Sequence, residues 1–440
     1  MKIAPSFGKY GVYASDYCKL DSDVRTGGGT DETGLLQEIL DTAVKWGHLH
    51  LIMDGATLIR GLTIHSNTTI ECLDADCGFY LMDGADDALF KNEISEYTVT
   101  ARNITFKGGT YNHNNLHQSM EPPKEKCLPE GRSCSDITVA FRFFGVENFR
   151  MEDVTIVDQK RYALLMGNWE NVFLTNIHMP LPHDVPRTNQ DGLHFHGPGK
   201  HLRIVNCYGR GGDDFIALNT DEGDKESSIS DVLIDGVYLE DAYQGVRLLS
   251  RNNGILEDVC IRNVYGTYRS FGFYITPWFD DGAGHFRNIT IEHVCLKQKD
   301  HIYKQHIPFL FNIGGRIENL TLRDITSECE DPQFRFLQVL AGTWDPDAKV
   351  SVKGLFCDGL NIRSSAAAGE EARGKFFYID CLVDYLRLTD VYAVSTASAE
   401  ALIEIGSRGS IGKLDTGIIH TQGISRLSAP CGKERKLTEW

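Results

Sequence analysis

From residue 148 onward the chain repeats one phrase: a small or polar residue, then apolar–x–apolar–x, then Asp or Asn, then apolar again. It reads N-F-R-M-E-D-V-T-I from Asn148, N-V-F-L-T-N-I from Asn171 and H-L-R-I-V-N-C from His201. Copies continue as D-V-L-I-D-G-V from Asp231, D-V-C-I-R-N-V from Asp258, N-I-T-I-E-H-V from Asn288, N-L-T-L-R-D-I from Asn319, G-L-F-C-D-G-L from Gly354 and Y-L-R-L-T-D-V from Tyr385. Their first apolar positions are Phe149, Val172, Leu202, Val232, Val259, Ile289, Leu320, Leu355 and Leu386, at intervals of 23, 30, 30, 27, 30, 31, 35 and 31. Alternation with period two marks each copy as a strand with one face inward. Strands of fixed length with turns of variable length account for a period near 30. Helical patterns between the strands are absent, which disfavours a β/α barrel or a doubly wound sheet. Propeller blades need roughly 40–45 residues each. The pattern predicts an all-β fold, a single-stranded right-handed parallel β-helix (a solenoid). The Asp or Asn of each copy marks a strand bend, and side chains at equivalent coil positions stack as ladders.

Before the repeats, Leu35, Leu36, Ile39, Leu40, Ala43 and Val44 recur at helical spacing. They predict one amphipathic α-helix over residues 32–46, with Thr30 or Asp31 as N-cap. A bare solenoid end exposes apolar core and unpaired strand edges, so this N-terminal helix is expected to cap the first coil. Residues 112–135 break the repeat with Asn, His, Pro, Glu and Lys, and predict a loop insertion over the active face, with His113 and His117 as candidate substrate contacts. Shorter polar insertions fall at 220–229 and 364–374, and the tail after Ala429 is polar. No Pro/Gly/Ser linker divides the chain, so residues 1–440 read as a single domain.

Net charge is −17, which argues against a nucleic-acid partner. No apolar run approaches the ~18 residues of a membrane span, and no membrane partner is expected. The start, M-K-I-A-P-S-F-G, lacks a secretory h-region, which reads as cytoplasmic, or secreted if a leader was removed. Twelve cysteines are scattered without a C-x-x-C pair. Cys207, Cys260, Cys295 and Cys357 sit in strand patterns and read as small reduced core residues, while Cys127 and Cys134 could pair in an exported protein. No metal site or cofactor is expected. The N-x-T triplets at Asn67, Asn103, Asn288 and Asn319 coincide with the strand phrase and read as repeat chemistry, not glycosylation.

The densest chemistry lies between Asn189 and Asn219. There N-Q-D-G-L-H-F is followed by G-G-D-D-F-I-A-L-N, placing Asp191 22 and 23 residues before Asp213 and Asp214. One solenoid coil takes about that length, and coils stack at ~4.8 Å. The spacing therefore sets Asp191 beside the Asp213–Asp214 pair. Clustered carboxylates split their pKa values, which supplies a general acid and a general base. Strict alternation would send Asp213 and Asp214 to opposite faces, so both reach one site only through a bend, which Gly211 and Gly212 permit. His194 and His196 fall on one side of their strand. A turn ladder or a calcium site is the alternative to catalysis for three stacked Asp.

These residues resemble the polygalacturonase-type pectinases, glycoside hydrolase family 28, within the pectate-lyase-like β-helix superfamily. That family carries N-T-D-G and, one coil later, G-D-D-C-I-A-I-N; the matches here are N-Q-D-G at 189–192 and G-D-D-F-I-A-L-N at 212–219. Its R-I-K segment aligns with G-V-R-L-L at 245–249, which keeps Arg247 and places Leu249 where the family has Lys. The family's G-H-G segment has no match, and the resemblance implies that His194 or His196 could replace its histidine near the leaving group. The run D-V-R…G-G-G-T-D-E-T looks like the superfamily's entry segment. The resemblance implies that Asp213 protonates the glycosidic oxygen, that Asp191 and Asp214 activate water with inversion, and that Arg247 holds a substrate carboxylate. An inverting site keeps its carboxyls ~6.5–9.5 Å apart.

Further candidates for binding substrate are Asn189, which could instead tie coils together, and Arg269 or Arg210, expected near Arg247 by coil register. Trp278 and Tyr274, in Y-R-S-F-G-F-Y-I-T-P-W-F-D-D, could stack on sugar faces, with Trp344 and Trp169 as weaker candidates. The expected function is a glycoside hydrolase on a polysaccharide or oligosaccharide, pectin-like or related. The alternatives are a polysaccharide lyase or fructotransferase on the same scaffold, and a non-catalytic carbohydrate-binding, adhesin-like solenoid. Oligomeric state is not read from the sequence.

Overall fold

An asparagine, aspartate or histidine in the left-handed region opens most copies of the phrase and bends a strand that continues through it. Asn67, Asn103, Asn148, Asn171 and His201 have φ of 60°, 58°, 60°, 58° and 62°, and Asp231, Asp258 and Asn288 have 55°, 54° and 54°. Asn and Asp tolerate this conformation better than other non-glycine residues. The Asp or Asn later in the phrase, expected to mark the bend, takes the same conformation: Asp153, Asn176, Asn206, Asn263 and Asp324 have φ of 56°, 54°, 58°, 59° and 52°, so both positions are corners of the coil. The computed structural model describes residues 11–93, 98–120, 138–183, 189–222, 226–251, 253–277, 284–299, 307–329, 334–340, 351–364 and 376–430. The chain divides into two compact units, Met1–Asp214 and Phe215–Trp440, and each is a stack of parallel coils, a parallel β-helix.

In the first unit a helix, α1 (Thr33–Trp46), precedes the coils. It buries Leu36, Ile39, Leu40 and Ala43 and ends at Gly47, φ 81°. Its N-cap is Glu32, not Thr30 or Asp31, and no side chain caps it in place. Asp31 nevertheless accepts the Thr33 N–H at 3.1 Å, so it satisfies a first-turn donor from one residue further out. Strand Leu49–Met53 pairs in parallel with Thr68–Cys72, and Thr68–Cys72 with Ala101–Lys107. Further on, Ile104 faces Phe149, Phe149 faces Val172, and Val172 faces Leu202. The last two pairs join successive first apolar positions of the sequence phrase. Inside, Phe79, Phe90, Phe106, Tyr111, Phe141, Phe143 and Phe149 form a continuous aromatic column with neighbouring centroids 4.8–6.5 Å apart. Such pairs add to burial through edge-to-face and offset contacts. Outside, the corners form the expected ladder: Asn103 Nδ2 donates to Asn67 Oδ1 at 2.7 Å, Asn148 to Asn103 at 3.1 Å and Asn171 to Asn148 at 3.2 Å.

The 112–135 segment begins inside the coil stack. Residues 112–120 continue the coil: strand Thr110–Asn112 pairs with Thr155–Val157, and His113, Asn114 and Asn115 are buried. His113 Nε2 contacts the Asp87 carbonyl at 3.0 Å, and Nδ1 accepts the Lys160 N–H at 3.0 Å. Its pKa is pushed down to about 4 by burial, so it is a neutral packing residue and not a substrate contact. His117 is more open and bonds Asn114 Oδ1 through Nδ1 at 2.8 Å. Residues 121–135, with Cys127 and Cys134, lie outside the described residues.

The second unit repeats the same register. Val232 faces Val259, Val259 faces Ile289, Ile289 faces Leu320, Leu320 faces Leu355 and Leu355 faces Leu386. Its interior carries Phe273, Phe311, Phe336 and Phe377 in a row, centroids 5.0, 5.6 and 5.6 Å apart. Asn288 donates to Asp258 at 2.9 Å and Asn319 to Asn288 at 3.2 Å, so the N-x-T asparagines of both units take part in ladders. Cys207 of the first unit and Cys357 of the second are buried as expected, but Cys260 is half-buried and Cys295 exposed, because alternation turns them outward. The 364–374 insertion falls, apart from Ser364, outside the described residues.

Candidate active site

The site is built by the strand Leu193–His196, which pairs with Leu164–Met166 in the register Leu193 to Leu164, His194 to Leu165 and Phe195 to Met166. Leu193 and Phe195 are fully buried inward, so alternation sends His194 and His196 together to the outer face. Asp191 lies just before this strand, where its carbonyl accepts the Ala163 N–H at 3.0 Å. Two bonds then tie it to the next coil: Gly212 N–H donates to the Gln190 carbonyl, and Gly192 N–H to the Asp214 carbonyl, each 2.9 Å. In an even parallel ladder one residue opposite Asp191 would serve both bonds. Here Gly212 and Asp214 share them, so three residues, 212–214, occupy the place of one. The backbone bends through Gly212 and Asp213 and resumes strand geometry at Asp214. The bend anticipated from the paired glycines exists, and it sets the backbone of Asp213 and Asp214 against that of Asp191.

Around Asp191 the side chains form a buried hydrogen-bonded chain. Asp191 is 2% exposed, His194 3% and His196 5%. His194 Nδ1 lies 2.7 Å from Asp191 Oδ2, and His194 Nε2 lies 3.1 Å from His196 Nε2. The Tyr162 ring stacks on His194, centroids 4.4 Å apart and 10° from parallel. Trp169 Nε1–H donates to the His196 carbonyl at 2.9 Å. Asp213 and Asp214 are half-buried. Beneath, Gln159 Nε2 donates to the Asp191 carbonyl at 3.2 Å, and Gln190 Nε2 to the Gln159 carbonyl at 3.0 Å. The cross-coil tie expected of Asn189 is thus made by its neighbour Gln190, while Asn189 itself is exposed with φ 47°.

Tyr162 and Arg142 were not singled out from the sequence. Each stands close to the site by coil register: Tyr162 immediately precedes Ala163, which bonds Asp191, and Arg142 faces Leu165, which faces His194. Counting back one coil from Asp191 would have found Tyr162. Trp169 is 3% exposed and packs under the histidine strand, so it offers no open face to a sugar.

In the second unit, Arg247 faces Tyr274 in register, and its guanidinium lies 3.8 Å from the Tyr274 ring centroid. Both are buried, 4% and 5% exposed, and the Tyr274 ring also packs on Phe271 and Phe309. One face of the ring proposed as a sugar platform is therefore covered by an arginine. Arg269 is not the register neighbour of Arg247. It sits five residues before Tyr274 on the same coil, near Asp241. Burial pushes the Asp241 carboxyl up, but the Lys299 and Thr267 hydrogen bonds, with the Lys299 and Arg269 charges, hold it low. Asp221, 1% exposed, accepts the Arg251 N–H at 2.7 Å and anchors that turn. Trp278 and Trp344 lie outside the described residues.

No family model matches the chain. It is 24% identical to a polygalacturonase of Persea americana over 177 residues, 34% of this chain and 37% of that protein. With a polygalacturonase of Gossypium barbadense it shares 27% over 222 residues, 48% of this chain and 50% of that protein. The chain thus matches half or less of the length of these curated relatives. In structure it resembles the pre-mature gene product 12 of bacteriophage phi29, with TM-score 0.55 and 14% identity over 97% of this chain and 57% of that one. It also resembles PfbA, a surface adhesin of Streptococcus pneumoniae, with TM-score 0.53 and 13% identity over 95% and 91% of the two chains. The structural likenesses carry the fold alone, and the chain is polygalacturonase-like in sequence over part of its length.

Proposed function

We propose that the chain is a glycoside hydrolase that cleaves a pectin-like or related polysaccharide, or its oligosaccharides, with inversion. One observation carries the reading: the bonds from Gly212 and Gly192 that seat residues 212–214 against Asp191. A binding solenoid has no need to gather three carboxylates at a backbone bend, whereas acid–base hydrolysis does. In this reading Asp213 protonates the glycosidic oxygen. Asp214 and Asp191 orient the attacking water and take its proton. The relatives named polygalacturonase direct the substrate class toward galacturonate polymers. Leu249 in place of a lysine, and the burial of Arg247 against Tyr274, favour a sugar less dependent on carboxylate recognition than a pure galacturonan.

The test is a screen over defined acidic and neutral oligosaccharides, with product anomers read by NMR, on wild type and Asp213→Asn. The expected result is an inverted product and a loss of at least about 100-fold in the variant, the lower range for a positioned acid. Activity within tenfold of wild type would sink the assignment. An unsaturated uronide product would identify a lyase instead, and binding without turnover a carbohydrate-binding solenoid.

A further inference from the structure

We infer that His194 is the positioning residue for Asp191, held in place by His196 and Tyr162; the inference deepens the hydrolase reading and rests on Asp191 taking part in water activation. A carboxylate can only accept, so the 2.7 Å contact assigns the proton of His194 to Nδ1. His194 Nε2 is then a lone pair in the neutral ring, and at 3.1 Å it accepts from His196 Nε2–H. Every donor in this chain points toward Asp191. Donation to the ionised form favours it and fixes the carboxylate rotamer.

The imidazole has little freedom to do otherwise. Tyr162 lies flat against one face of it at 4.4 Å, and His196 meets it edge-on at 4.9 Å and 77°. The backbone under His196 is fixed in turn by the Trp169 indole N–H at 2.9 Å. All three members of the chain are 5% exposed or less, so water competes poorly for these bonds. A base that must meet one water in one direction benefits from such a clamp, since small misplacements cost large factors in rate. Packing alone would be satisfied by any flat ring at 194, and this gives the discriminating experiment.

His194→Phe keeps a ring for Tyr162 to stack on and deletes the donor. In His194→Asn the amide Nδ2 sits where the imidazole Nδ1 was, so the donor is restored. With the wild-type substrate, His194→Phe is expected to lower kcat by on the order of 100-fold while KM stays within about threefold. His194→Asn should recover at least tenfold of that loss, with both variants melting as cooperatively as wild type. Equal kcat in His194→Phe and wild type overturns the proposal, and so does an equal loss in both variants, which would mark a packing role. A second readout is independent of turnover: in protein labelled with 15N-histidine, a low-field Nδ1–H resonance should be present in wild type, absent in His194→Phe and moved upfield in Asp191→Asn. Should wild type cleave nothing in the screen, the hydrolase reading falls while this resonance still decides the clamp. A resonance unmoved by Asp191→Asn overturns it.

Discussion

Gly167 is where the coil packing and the site meet, and a single methyl there should be felt by both. A Cβ at this position would lie 2.4 and 2.5 Å from two ring carbons of Phe144 and 3.6 Å from the Cβ of His196. Carbon atoms pack at ~3.5–4.0 Å, so the Phe144 ring must retreat by roughly 1 Å or more. Its backbone cannot follow, because Asn92 binds it at both ends: Phe144 N–H donates to Asn92 Oδ1 at 3.0 Å and Asn92 Nδ2 donates to the Phe144 carbonyl at 2.7 Å. The ring would push into Val139, Tyr162 and Leu165, all buried. Overpacking of this kind costs about 1–3 kcal/mol. Replacing Gly by Ala recovers at most about 0.4–1 kcal/mol through the unfolded chain. Gly167→Ala is thus expected to destabilise by about 1–2 kcal/mol and to reduce turnover, since Tyr162 is the face on which His194 rests. The assay is urea denaturation of Gly167→Ala, Phe144→Leu and the double variant. With the ring gone, the added methyl should be neutral or better, giving a coupling of at least about 1 kcal/mol. Additivity within about 0.5 kcal/mol would refute the reasoning.

Three further outcomes follow from the same geometry. Asn148→Ala removes two ladder bonds and forces alanine to φ 60°, so a loss of about 1–2 kcal/mol is expected, with Asn148→Gly losing clearly less; equal losses in urea melts would show that the left-handed corner is not the cause. His113 is neutral in the fold with its pKa pushed down to about 4, whereas the unfolded chain protonates it near 6.5; stability should fall as pH drops through 6.5 toward 4, by about 2 kcal/mol between pH 7 and 5, and His113→Gln should flatten that slope in paired denaturation curves. Native alkylation with iodoacetamide, read by mass spectrometry, should modify exposed Cys295 and spare Cys207 and Cys357, whose thiols burial pushes up; labelling of the buried pair before Cys295 would contradict the strand alternation.

Fold and register were legible in the pattern of apolar and polar residues. The first apolar positions of successive phrases face one another coil upon coil within each unit, because period-two burial leaves no freedom to slip without turning the core outward. Asparagine at the corners was legible for the same reason: few other residues accept that backbone. Tertiary structure decided what coil counting could not. Which side chains remain open depends on what the adjacent coil places against them, so Tyr274 lies against Arg247, Trp169 under His196, and His113 inside the stack. The bend at 212–214 was anticipated from the paired glycines, but its seating on Asp191 depends on hydrogen bonds between coils, and the Asp191–His194–His196 chain on rotamers fixed by packing, which residue spacing does not show.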